Sequence, residues 1–411
     1  MNQGVLGFPQ SSITLATDEI SLAEWTRILA FDGVAGSRRV GIPADVSEVL
    51  VIAVGAGASG RIYVDTSTSP ACGGGGGAFI AAICAVAPGS MVDYVVGTGG
   101  AARVLTSANF TNGAAGTATT FGDMLSAGGG SGGAGSGGTA TVGAGGVAVV
   151  TTARKVLASY SGGSSGAITI VASTASATGG GSAGSPFSNG YSSGAVSAAS
   201  TRSSASGGAS WWASSAAVSD SVSGGAGVSA STDAVGGGPS SVFVDVNPAY
   251  VNAPIGQNMY LDFLMTAALG ADAAVESARN NTTPTTWGSV PDGAGRCGGS
   301  AAEATTTATA ATGSLSAGDG GHFSGGGAIR IVGESITGTT TVTAGNGGRC
   351  GGGGAAAVRN IISGKVTTVT AGSGLIGGGG GGCAVMSNVT TGTNSSGAGG
   401  DGFIMVLAKG V

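Results

Sequence analysis

Gly325-Gly-Gly-Ala-Ile-Arg-Ile-Val332, followed by Thr343-Ala-Gly-Asn-Gly-Gly348, returns 27 residues later as Gly352-Gly-Gly-Ala-Ala-Ala-Val358 and Thr370-Ala-Gly-Ser-Gly374. A looser third copy starts at Gly380-Gly-Gly-Cys-Ala-Val-Met386, and Phe403-Ile-Met-Val-Leu-Ala408 supplies a closing strand. Each copy pairs a glycine tract with a short apolar run, too small a unit to bury a face alone, so the repeat predicts stacking of like units.

The same pairing recurs upstream. Glu48-Val-Leu-Val-Ile-Ala-Val54 reads as a fully buried strand, with further strands at Arg39–Ile42, Ala78–Val86, Met91–Val96 and around Ala118–Leu125. Pro43-Ala-Asp45 and Pro88-Gly89 are turn signals. After a stretch dominated by Ser, Ala, Gly and Thr over about 175–240, Val242–Val246 and Met259–Met265 restore strand-like runs. Around Trp25 a capping box favours a short helix, while Trp25–Phe31 also reads as a strand.

Glycine occupies 86 of 411 positions, and it loses more backbone freedom on folding than any other residue, so the tracts need compensating contacts. Runs such as Gly73–Gly77 and Gly377–Gly382 fit extended polyproline-II helices, whose outward N–H and C=O groups bond side by side at a spacing that only glycine allows. Wide loops at the ends of a sandwich are the alternative. With 10 prolines and no strict Gly-X-Y period, collagen is excluded. The expected fold is all-β: a glycine-rich β-sandwich or β-solenoid-like body with polyproline-II-type tracts and a small N-terminal attachment segment. Four segments follow: 1–36, attachment; 37–150, glycine-rich β domain; 151–320, Ser/Gly/Ala-rich variable region; and 321–411, the repeat region.

Charged residues make up 9% of the chain and the net charge is −5, with the 15 Lys and Arg scattered. No basic face stands ready for phosphates, so nucleic acid is not an expected partner. Residues 1–10 lack the pattern of a signal peptide, and no stretch of about 18 apolar residues occurs. Neither membrane insertion nor a signal peptide is expected. Cys72, Cys84, Cys297, Cys350 and Cys383 form no CxxC pair and read as small packing residues beside the glycine runs.

Candidate chemistry is sparse. Gly55-Ala-Gly-Ala-Ser-Gly60 is a GxGxxG after a strand, but Arg61-Ile-Tyr-Val is β-branched where a dinucleotide site needs a helix. His322, with Ser324 and Asp319, lacks a nucleophile elbow. Asp319, Glu334 and Asp401 have no spacing that marks a glycosidase pair, and Asp401 lacks the tandem repeats of a calcium nonapeptide. No catalytic residue, cofactor or metal is expected. Trp211 and Trp212, with Phe187 and Tyr191, are the receptor or interface candidates, because large aromatics in a small-residue stretch suit stacking or anchoring. Trp25 and Phe31 are the large aromatics of the charge-rich N-terminal module, residues 1–36.

Val40-Gly-Ile-Pro-Ala-Asp-Val-Ser-Glu-Val-Leu-Val-Ile-Ala-Val-Gly-Ala-Gly57, Gly73-Gly-Gly-Gly-Gly-Ala-Phe-Ile80, Val86–Gly100 and Thr120–Gly130 follow one another in an order that resembles the glycine-rich domains of bacteriophage tail fibres and other virion appendages. The ending Gly397–Leu407 is similar to their closing strand. The resemblance covers roughly 37–145 and 320–411, and the middle by composition alone. It implies a non-enzymatic virion-surface protein, made in the host cytoplasm, with other virion proteins as partners and with residues 1–36 attaching to the particle, Trp25 and Phe31 being the particle-docking candidates. A homotrimer or another symmetric assembly is expected, because oligomer contacts would help a chain with so thin a core, and its loops are expected to contact a host surface glycan or outer-membrane protein. A bacterial cell-surface adhesin or matrix protein is the second expectation, and a tail-associated polysaccharide depolymerase the third.

Overall fold

The computed structural model describes residues 24–169, 175–186, 188–197, 202–205, 207–208, 278–280, 286–287, 302–306, 312–320, 325–333, 340–360, 367–387 and 392–410. Among them every regular element is a strand, and the chain is all-β. The strands read at 242–246 and 259–265 lie outside the described residues.

A central antiparallel sheet carries Arg27–Asp32, Phe403–Ala408, Glu48–Val54, Phe79–Ala85 and Lys155–Tyr160 in that order. The first and last parts of the chain thus share one sheet, with Phe403 opposite Val54 and Leu407 opposite Leu50. One face packs Val49, Val51, Ile80, Ile404 and Val406 against Val40, Tyr94, Phe121 and Leu125 of a second antiparallel sheet. The opposite face packs Leu50, Ile52, Phe79, Met405 and Leu407 with Trp25. Burial on both faces explains why Glu48–Val54 is a continuous apolar run and not an alternating one. Each of its larger side chains contributes about 1.5–3 kcal/mol by leaving water.

Local differences from the sequence reading have physical causes. The segment after Trp25 is a strand, Arg27–Asp32, because it pairs along Phe403–Ala408. The strand read as Arg39–Ile42 runs Gly36–Gly41, paired along Met91–Val96. The single strand read around Ala118–Leu125 is a hairpin of Thr119–Phe121 and Leu125–Ala127, turned at Gly122 with φ +51°.

The repeats build two parallel ladders. In one, Ile329–Gly333, Ala356–Asn360 and Cys383–Ser387 pair in register, each step being 27 residues. In the other, Thr312–Ser316, Thr340–Thr343, Thr367–Thr370 and Asn394–Ser395 do the same, the last step being shorter. The spacing reaches back to Ala302–Thr306, 27 residues before Ile329–Gly333. Ile331, Val358 and Val385 from the first ladder meet Leu315, Val342 and Val369 from the second in a shared interior. Ile62–Asp65 adds to the first ladder in parallel, and Asn109–Thr111 and Val104–Leu105 close the two ladders antiparallel.

Between these sheets run the glycine tracts, and Gly73–Gly77 displays their geometry. A Cβ on Gly73 would strike Gly179 and one on Gly76 would strike Ser182, three residues on along the same neighbour. Gly74 likewise faces Ala58 and Gly77 faces Gly55, while Gly75 faces Ala144. The amides keep the same period: Gly74 donates to Gly380 O and Gly77 to Gly377 O, with Gly75 turned to Ser131 O and Gly76 to Gly163 O. A three-residue turn with hydrogen bonds only to neighbours is polyproline-II geometry, so the tracts are not wide loops. Each buried bond is worth about 0.5–1.5 kcal/mol net, which offsets the entropy that glycine loses.

Candidate functional site

Of the aromatic candidates, Trp211, Trp212 and Phe187 lie outside the described residues. Tyr191 is half-buried, and its backbone is fixed by Ser182, whose amide donates to Tyr191 O at 3.1 Å and whose Oγ accepts from Tyr191 N at 2.8 Å. His322, Ser324 and Glu334 also lie outside the described residues. Asp319 accepts from Asn346 N, and Asp401 accepts from Gly99 N at 2.8 Å, so each carboxylate anchors neighbouring backbone.

The structure separates Trp25 from Phe31. Trp25 is 5% exposed in the core face of the central sheet, with the Lys409 ammonium 5.5 Å from its ring centroid. Phe31 is 64% exposed and meets Phe403 edge to face, centroids 5.2 Å apart. Ile28 and Val34 are exposed beside it in sequence, whereas Trp25 is a core residue.

The GxGxxG segment lies inside the glycine bundle. Gly55 donates to Ala78 O, Gly57 to Gly400 O and Gly60 to Gly397 O, and the chain continues into strand Ile62–Asp65. Its amides therefore point at other backbones. Four cysteines, Cys72, Cys84, Cys350 and Cys383, are free and buried. Burial pushes their thiols up, Cys72 and Cys84 to about 11 and Cys350 and Cys383 to about 12, so they stay protonated and unreactive at neutral pH.

One chemically distinct cluster escaped the sequence reading. Arg61, the residue after the GxGxxG segment, is fully buried. Its guanidinium carbon lies 5.0 Å from the ring centroids of both Tyr63 and Phe110, which meet edge to face. Nη1 donates to Thr139 O and Nη2 to Gly137 O at 3.0 Å, whereas Nε has no hydrogen-bond partner among the described residues. Burial lowers its pKa, with Cys72 and then Tyr63 partly offsetting this; an arginine nonetheless keeps its charge. Alternation in Arg61-Ile-Tyr-Val puts Arg61 and Tyr63 on one face of the strand, the single signal that the sequence offered.

Among the described residues no helix is long and apolar enough to cross a membrane. No curated protein matches the chain. The glycine-rich domain family matches residues 33–253, more than half of the sequence, a span that includes the second antiparallel sheet, the tract Gly73–Gly77 and the Arg61 cluster. The chain therefore belongs to the glycine-rich domain family.

Proposed function

We propose that the protein is a non-enzymatic structural subunit of a bacteriophage surface appendage, a fibre, tip or adhesin, that works as a homo-oligomer and presents its loops to the host surface. The observation that carries this reading is the glycine bundle. Tracts from the N-terminal and C-terminal parts of the chain interlock so tightly that a Cβ on Gly57, Gly379 or Gly399 would overlap another backbone. Such packing gives a rigid body with little tolerance for rearrangement, as a display scaffold requires. The strand-and-glycine order of residues 37–145 and 320–411 supports the same reading by resemblance. In that reading the exposed aromatic at the docking end is Phe31, with Trp25 supporting the sheet beneath it.

Immunogold labelling of intact virions tests the proposal: an antibody against the chain should mark an appendage. Label on the bacterial envelope in uninfected cells, with none on particles, favours the cell-surface adhesin and sinks the virion reading. Mass measurement in solution checks the expected trimer, and a stable monomer removes it.

A further inference from the structure

We propose that Arg61 is a receptor for the carboxylate of an acidic sugar, and that residues 134–141 form a strap closed over it in the present structure. The inference rests on the host-surface reading above and names the ligand class that such a surface would offer. A guanidinium presents five N–H donors in a planar fork suited to two carboxylate oxygens. Here the fork is spent on two neutral carbonyls, Gly137 O and Thr139 O, and Nε, fully buried, has no hydrogen-bond partner among the described residues. No ion pair involves Arg61 among the described residues. A buried cation without a counter-charge is costly, and an anion taking the place of the carbonyls would relieve that cost.

The strap lies at the surface and holds the guanidinium through backbone carbonyls alone. Ala134 and Thr141 close its base with paired backbone bonds, and Gly135 and Gly137 take φ +147° and +49°. Among the described residues nothing comes within 4 Å of a Cβ on Gly137 or Gly138, and Ser136, Gly138 and Thr139 are exposed. Beneath the strap, Tyr63 and Phe110 form an aromatic corner beside the guanidinium, Phe110 being 37% exposed. The guanidinium covers one face of each ring and Tyr63 is buried, so the exposed part of Phe110 is what a sugar that bears a carboxylate would meet, with its ring against Phe110 and its charge on the fork.

The test is calorimetric titration of the full-length protein with sodium glucuronate, sodium acetate, sodium sulfate and neutral glucose, together with hydrogen exchange of the backbone. Glucuronate is expected to bind, acetate and sulfate to bind at least tenfold more weakly, and glucose not at all, because only glucuronate satisfies fork and corner together. Exchange at residues 135–140 should rise with glucuronate as the strap opens. Phe110→Ala, which removes a half-exposed ring, should weaken glucuronate at least fivefold while the melting transition is kept, and Arg61→Lys should weaken it tenfold or more for lack of the fork. Equal binding of acetate and glucuronate would reduce the site to a free-oxyanion receptor and overturn the sugar assignment. No heat and no exchange change at tens of millimolar glucuronate overturns the whole proposal. Glucuronate binding by a protein absent from virions would leave this site standing and remove the particle assignment alone.

Discussion

Gly74 donates its amide to the carbonyl of Gly380 at 2.9 Å, and a Cβ on Gly379 would strike the carbonyl of Gly74. The two tracts run antiparallel, since Gly77 bonds to Gly377 and Gly382 faces Ala71. This contact ties the N-terminal glycine-rich segment to the last repeat, so bundle and ladders are packed against each other.

Alanine should therefore be graded by position and not by glycine content. Gly379→Ala and Gly57→Ala each place a methyl group inside a neighbouring carbonyl, where only backbone can yield, and should cost about 3 kcal/mol or more. Gly138→Ala meets nothing and should be neutral or stabilising by a few tenths of a kcal/mol. Urea unfolding of the three variants checks this, and equal midpoints for Gly379→Ala and Gly138→Ala would refute a tightly packed bundle.

Trp25 and Phe31 should separate stability from surface function. Trp25→Ala removes a buried ring from the central sheet and should cost about 3–5 kcal/mol. Phe31→Ser acts at a mostly exposed ring and should cost about 1 kcal/mol or less, so any loss of particle incorporation would report on docking itself. Thermal melts paired with an incorporation assay decide it. A destabilisation by Phe31→Ser as large as that by Trp25→Ala would remove the distinction.

Much of the architecture was legible because the signals were local. Glu48–Val54 and Met91–Val96 form over the residues that their apolar pattern marked, and the 27-residue offset is the pairing register of both ladders. Three-residue periodicity of the tracts followed from glycine's need for lateral partners. What the sequence hid was long-range: nothing local says that Phe403–Ala408 lies between Arg27–Asp32 and Glu48–Val54, or that Gly74 meets Gly380. Arg61 was missed for the same reason, because its rings and carbonyls come from positions 63, 110, 137 and 139.

Asn394 marks a local conflict that substitution should relieve. It follows Leu315, Val342 and Val369 in the inward row of the second ladder and faces Leu105, yet it is polar and 3% exposed. Its Oδ1 has no hydrogen-bond partner among the described residues. Asn394→Leu should stabilise the protein by roughly 1 kcal/mol, because it removes an unsatisfied acceptor and extends the apolar row. Lower stability in urea unfolding would mean that the amide holds the last rung by a bond of its own.

Alkaline pH should loosen the ladders through Cys383. Burial raises its thiol from 9.0 to about 12, the bond from the Ser395 backbone opposing this weakly. The folded state then holds the proton more tightly than the unfolded chain. The stability that this brings is fully present below pH 9, falls as pH rises, and is gone by about pH 12. Within that window the loss approaches about 1.4 kcal/mol per pH unit for one thiol. Tyrosines and lysines titrate nearby in pH, so the informative quantity is the difference between wild type and Cys383→Ala. The variant starts less stable at pH 8 because of the cavity that it leaves, and should lose less between pH 8 and pH 10.5, by roughly 1–2 kcal/mol. Parallel slopes in urea unfolding at the two pH values would mean that the Cys383 thiol reaches solvent, which a bundle this closely packed does not allow.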